Sequence, residues 1–155
     1  MCLIEEAMMT KSFSRLAGNE IATLLIPTTV TLLTARDEDG TDKVATIAWA
    51  MPISHEPSLI AVAIRPDGQT ACAMRTSGSF IVNVLGASED AVSIAMTCGK
   101  KRGIDDRIAE AQLTTCPSAH VDAARIEQAI SWIECELVES HVHGDHELFI
   151  GRTLV

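Results

Sequence analysis

The sequence predicts a mainly β protein with small helices, and three observations carry that prediction. Short runs rich in β-branched and small apolar residues recur, at Val30–Ala35, Lys43–Ala50, Leu59–Ile64, Ser79–Leu85, Ile130–His141 and His146–Leu154. Two of the links between them, through Asp39-Gly40 and Gly144-Asp145, carry hairpin turn residues. Only Gln69–Thr76, Ser88–Thr97 and Ile104–Ala111 favour helix. Many short strands with a few small helices point to a β-barrel with helical decoration.

Taken in order, residues 1–25 read as an N-terminal helical extension. Their Met and Leu content suits a segment lying on the domain, over a barrel opening or a partner subunit. Residues 26–155 form the barrel domain. Val30–Ala35 and Lys43–Ala50 pair as a hairpin around the polar stretch Arg36–Asp42. Leu59–Ile64 is almost wholly apolar, which fits a strand buried on both faces. Gln69–Thr76 is a helix stopped near Gly78, and Ser79–Leu85 is the next strand. Ser88 is a candidate N-cap, with Glu89 and Asp90 in the first helical turn that follows. Ile130–His141 and His146–Leu154 make the second hairpin.

A chain of 155 residues fits one domain with a genuine core. A formal charge of -9 weighs against nucleic acid and anionic membrane as partners. The five cysteines are odd in number and contain no C-x-x-C pair, so zinc knuckles and dithiol redox motifs are unsupported. Free thiols in a reducing, cytoplasmic setting are expected. The N-terminus lacks a basic start and a long apolar run, and no stretch approaches the roughly 20 apolar residues of a membrane span.

Chemistry concentrates in two places. In Val44–Pro57 the side chains alternate, with Val44, Thr46, Ala48 and Ala50 on one face and Ala45, Ile47 and Trp49 on the other. Small residues leave the backbone open to something flat. Pro52, Ser54, His55 and Pro57 are expected to stop regular pairing just beyond. Such a shelf suits a planar ligand held by main-chain groups. The second place is Arg65-Pro66-Asp67-Gly68-Gln69-Thr70, where a buried strand enters a helix. The first amides of that helix lack internal partners and favour an anion. Arg65, Gln69 and Thr70 add donors for a phosphate. The competing reading is that Thr70 or Asp67 caps the helix, Arg65 is a surface residue, and Trp49 is core packing.

Thr46–Ser54 followed by Glu56-Pro57-Ser58-Leu59 resembles the signature of the flavin reductase-like proteins, FMN-binding split β-barrels that include the flavoredoxins. The resemblance continues through Ala61–Pro66, Thr70, Gly78–Val84, Cys98-Gly99, Ile104-Asp105 and Gly144–Gly151. It implies that Thr46, Ile47, Ala48, Trp49 and Ser54 line the isoalloxazine of FMN. It also implies that Arg65, Gln69 and Thr70 hold the phosphate. It further implies a homodimer and hydride or electron transfer from NAD(P)H, through the flavin, to a small-molecule or protein acceptor. His146 becomes a candidate for positioning the nicotinamide, and no catalytic side chain is otherwise assigned. The alternatives are a non-enzymatic FMN carrier and a flavin-free dimeric scaffold.

The sequence departs from its relatives at two points. Where they commonly carry Asp-Lys-Phe, this chain has Asp105-Asp106-Arg107, so Asp106 replaces a family lysine and Arg107 is the candidate substitute. The chain also reads as short at the C-terminus. Lys100-Lys101-Arg102 is the most basic run, read as a solvated loop or a phosphate contact. His141, His143 and His146 raise a metal possibility, but with no cysteine nearby no metal site is assigned. Cys98 is read as a small core residue rather than a redox thiol.

Overall fold

A computed structural model describes residues 22–99 and 106–154 of the chain. Of the expected N-terminal extension, residues 1–21 lie outside the described residues, and Ala22–Leu25 is one turn of 3₁₀ helix. The barrel starts with β1 (Thr31–Arg36) and β2 (Asp42–Ile47), an antiparallel hairpin. Asp37 builds the turn: its Oδ1 accepts from the amides of Asp39 (3.1 Å) and Thr41 (2.8 Å), and Gly40 takes φ +77. Then come β3 (Ala50–His55), β4 (Ser58–Ile64), α1 (Gln69–Ser77), β5 (Ser79–Leu85) and α2 (Glu89–Cys98). After them follow α3 (Arg107–Glu110), β6 (Thr115–Pro117), β7 (Ala124–Ile126), β8 (Ala129–His143) and β9 (His146–Thr153).

Seven strands form one antiparallel sheet in the order β2-β1-β5-β8-β9-β4-β3. Its two edge strands, β2 and β3, are consecutive in the chain and separated only by Ala48 and Trp49. In a flat sheet those edges would stand roughly 29 Å apart, six spacings of about 4.8 Å. The link from Ile47 to Ala50 reaches about 11 Å at most. The sheet must therefore curl until its edges meet, and the result is a barrel split between β2 and β3.

That closure corrects two expectations. Lys43–Ala50 is not one strand, because the chain leaves one edge at Ile47 and joins the other at Ala50. The Trp49 carbonyl accepts from the Ala63 amide (2.9 Å), so the link is already tied to β4. Nor do Pro52, Ser54 and His55 stop pairing: all three lie in β3, in register with β4, with a bulge between Pro52 and Ser54. An edge strand and a bulge are where a residue without an N–H is tolerated in a sheet. The small pair β6 and β7 goes unanticipated, as three residues each are too short to show a period. The helix expected over Ile104–Ala111 is observed as Arg107–Glu110, with Asp106 as its N-cap, while Ile104 and Asp105 lie outside the described residues.

The core has two parts, divided by β1. Leu33 and Ala35 face the barrel interior with Val62, Met74, Phe80 and Phe149, and α1 closes that interior. Leu32 faces the other way, with Val44, Cys98, Leu113 and Ile126 beneath α2 and α3. Both helices stop or start as their sequences direct. Ser88 accepts from the Ala91 amide (3.1 Å), and Gly78 ends α1 at φ +68 with its amide on Met74 O. Asn83 is fully buried between the two halves; its amide donates to Leu32 O and Thr34 Oγ1, and its oxygen accepts from Ile126 N (2.8 Å). No helix among the described residues is long and apolar enough to cross a membrane.

Candidate functional site

Where the split of the barrel meets the junction of β4 and α1, a cleft of about 880 Å³ opens. That is within the usual range for a cofactor pocket, roughly 300–1,000 Å³. One wall is the end of β2 and its link, from Ala45 to Trp49. The second is the end of β4 and the turn after it: Ala63, Ile64, Arg65, Asp67 and Gly68, with Thr70 behind. Cys98, Gly99, Arg107 and His146 complete the lining. Five of the lining residues are alanine or glycine: Ala45, Ala48, Ala63, Gly68 and Gly99. Gly99 is packed so tightly that a Cβ there would lie 3.0 Å from Ala95 O and 3.6 Å from Thr46 Cβ.

The start of α1 is left without a side-chain cap. Gly68 is the N-cap, in an extended conformation with no side chain capping the helix, so neither Asp67 nor Thr70 acts as the cap. The first amides of the helix have no intrahelical acceptors. Thr70 is 1% exposed, and its hydroxyl is buried without a hydrogen-bond partner. A buried orphan hydroxyl costs stability unless something else satisfies it, and this one borders the cleft. Asp67 instead takes the Arg65 guanidinium (Nε–Oδ1 3.1 Å). That bond, with Asp145 farther away, raises the Arg65 pKa.

Six of the eight residues expected to bind a cofactor therefore line one cleft: Thr46, Ile47, Ala48, Trp49, Arg65 and Thr70. Two do not. Ser54 sits in β3 beside the bulge, and Gln69 is exposed on α1 away from the lining. The Thr46 hydroxyl donates to Ala95 O (2.7 Å) and ties β2 to α2. Trp49 is 48% exposed, so it is not core packing.

Arg107 carries more weight than its sequence suggested. It lines the cleft and donates from Nη1 to Val44 O (3.2 Å). Asp106, in the family lysine's place, caps α3 by accepting from Ala109 N (2.9 Å). The basic run Lys100-Lys101-Arg102 lies outside the described residues. Cys98 also borders the cleft, but burial raises its thiol to about 11 against the pull of Arg107. A thiol so raised is protonated at neutral pH and is a poor nucleophile.

His146 faces the cleft, and its Nδ1 lies 2.8 Å from Asp145 Oδ1. This pairing holds the Asp145 carboxyl below its ordinary range. His141 meets Glu139 (3.3 Å), and His143 stands opposite His146 in the β8–β9 register. Among the described residues, no three His, Cys, Asp or Glu side chains gather to hold a metal ion.

Residues 23–154 match the family described as flavin reductase like domain. The chain is 28% identical over 126 residues to the reductase subunit of the stachydrine N-demethylase of Rhizobium meliloti, covering 81% of this chain and 52% of that protein. It is 28% identical over 131 residues to an NADH-dependent FMN reductase of Streptomyces nodosus, covering 83% of this chain and 67% of that one. The solved flavoredoxin of Desulfovibrio vulgaris shares its fold with a TM-score of 0.79 and 28% identity, over 95% of this chain and 75% of that chain. The chain spans 52% to 62% of the length of three curated relatives it matches. With the family match running from before β1 to the end of β9, the chain belongs to the flavin reductase-like family.

Proposed function

We propose that the cleft holds FMN and that the chain is an NAD(P)H-dependent oxidoreductase of the flavin reductase or flavoredoxin type. The observation that carries this reading is the buried, unpartnered Thr70 hydroxyl at the uncapped start of α1, inside a cleft of cofactor size. A phosphate would satisfy that hydroxyl and the first helix amides together, with Arg65 as the adjacent cation. Arg107 brings a second guanidinium to the lining of a protein whose net charge is -9. The peptide groups of Thr46–Trp49 would border the ring. FMN held there would supply the two-electron chemistry that links reduced nicotinamide to a small-molecule or protein acceptor.

The chain's own part is to bind and orient. No general acid or base is required, and the cleft offers no low-pKa thiol to compete. His146 borders the same cleft and is the candidate for placing the nicotinamide. Exposed Met51 and Ile53 on edge strand β3 support pairing of two copies. Anaerobic stopped-flow mixing of FMN-loaded protein with NADH and with NADPH tests the reading. Bleaching of the flavin absorbance by either supports the reductase. Bleaching only with dithionite would leave a carrier, and protein that neither copurifies with nor binds FMN would reject the cofactor assignment.

A further inference from the structure

We propose that Arg75 is a positioning residue for the cleft, setting the spacing of its walls through one guanidinium shared by the Pro66 carbonyl and the Glu147 carboxylate. This rests on the reading that the cleft holds FMN. Arg75 sits in the last turn of α1. Helical side chains lean toward the helix N-terminus, so Arg75 reaches back along α1, and its Nη2 donates to Pro66 O at 3.1 Å. Pro66 belongs to the turn whose neighbours Arg65, Asp67 and Gly68 line the cleft.

The other arm of the fork, Nη1, binds Glu147 Oε2. Glu147 is buried on β9, next to His146, and its second oxygen accepts from Ser140 Oγ at 2.8 Å. Its register partner on β4 is Ile64, the residue before Arg65. A single cation thus joins the turn that opens α1 to the start of the strand that carries His146. Neither Arg75 nor Glu147 lines the cleft, so both act through the residues that do.

A plain stabilising role would need only the ion pair, since a buried carboxylate requires a counter-charge. The Pro66 contact adds nothing to that need. It is made from a second nitrogen, Nη2, held rigidly apart from the Nη1 that binds Glu147, a spacing that lysine's single ammonium nitrogen does not reproduce. Arg75→Lys therefore separates the two roles. FMN affinity, by quenching of flavin fluorescence, and the unfolding midpoint without FMN are measured on the full chain. The expected result is a midpoint within a few degrees of wild type and FMN binding weakened about tenfold, the scale of one charge-assisted hydrogen bond. Wild-type affinity in Arg75→Lys, with the wild type binding FMN, would overturn the positioning role alone. A wild type that does not bind FMN overturns the reading beneath it as well. Should Arg75→Lys fail to fold, Ser140→Ala loosens Glu147 by one hydrogen bond. About threefold weaker FMN binding is then expected, and unchanged binding rejects the inference.

Discussion

The indole ring of Trp49 lies 4.5 Å, centroid to centroid, from the imidazole of His146 and is tilted 41° to it. Both residues line the cleft. The contact joins the β2–β3 link to the start of β9, two segments held apart in the sheet by β4. The side chains of Trp49 and His146 thus bridge the two segments at the cleft.

Because Trp49 is half exposed, replacing it removes little buried surface. Trp49→Phe is expected to change the unfolding free energy by less than about 1 kcal/mol. It should also abolish most of the quenching of tryptophan emission that FMN causes, since the other described indole, Trp132, donates to Ile126 O away from the cleft. Fluorescence titration of the two proteins checks both points. Undiminished quenching in Trp49→Phe would place the flavin elsewhere.

Gly151 is required by packing, not by turn geometry. A Cβ there would stand 2.5 Å from Phe80 Cζ and 2.9 Å from Cys135 Cβ, both in the barrel core. Gly151→Ala should destabilise the fold by roughly 1–3 kcal/mol or more, the scale of overpacking. A urea unfolding midpoint equal to wild type would show that β9 can move away from Phe80 freely.

Acid should weaken the fold partly through Glu134. Burial pushes the Glu134 pKa up, but the Ala119 and His120 amides and the Arg125 guanidinium outweigh it and hold the carboxyl below its ordinary value of 4.5. A group lowered on folding contributes stability that is complete above its unfolded pKa and is lost as pH falls through its native one. The urea midpoint should therefore drop as pH falls below about 4.5. Glu134→Gln should be less stable at pH 7 and fall less steeply in acid. Parallel acid profiles for the two proteins would remove Glu134 as a contributor.

Much of the fold was legible because its signals are local. The Asp39-Gly40 turn, the Ser88 cap and the apolar run of β4 each follow from residues a few positions apart. What was not legible depends on closure. The alternation from Val44 to Ala50 continues unbroken in sequence, and only the meeting of two distant sheet edges ends β2 at Ile47. Pro52 reads as a stop until β3 is seen to be an edge strand with a bulge. In the site, Ala48, Arg65 and Thr70 were readable from the shelf and the helix start. Arg107 was readable only as a replacement for a missing lysine, and its place in the cleft depends on how α3 packs on β2. Arg75 and Glu147 lie 72 residues apart, and nothing near either announces the other.

The most direct measurement is a paired titration of FMN and riboflavin, which differ by the phosphate, against wild type and Thr70→Val. If the start of α1 grips that phosphate, wild type should bind FMN at least about tenfold tighter than riboflavin. Thr70→Val should shrink that gap while leaving the protein without FMN as stable as before or more so, because an unsatisfied buried hydroxyl has been removed. Equal affinity for the two flavins in wild type, or an undiminished gap in Thr70→Val, would contradict the phosphate assignment.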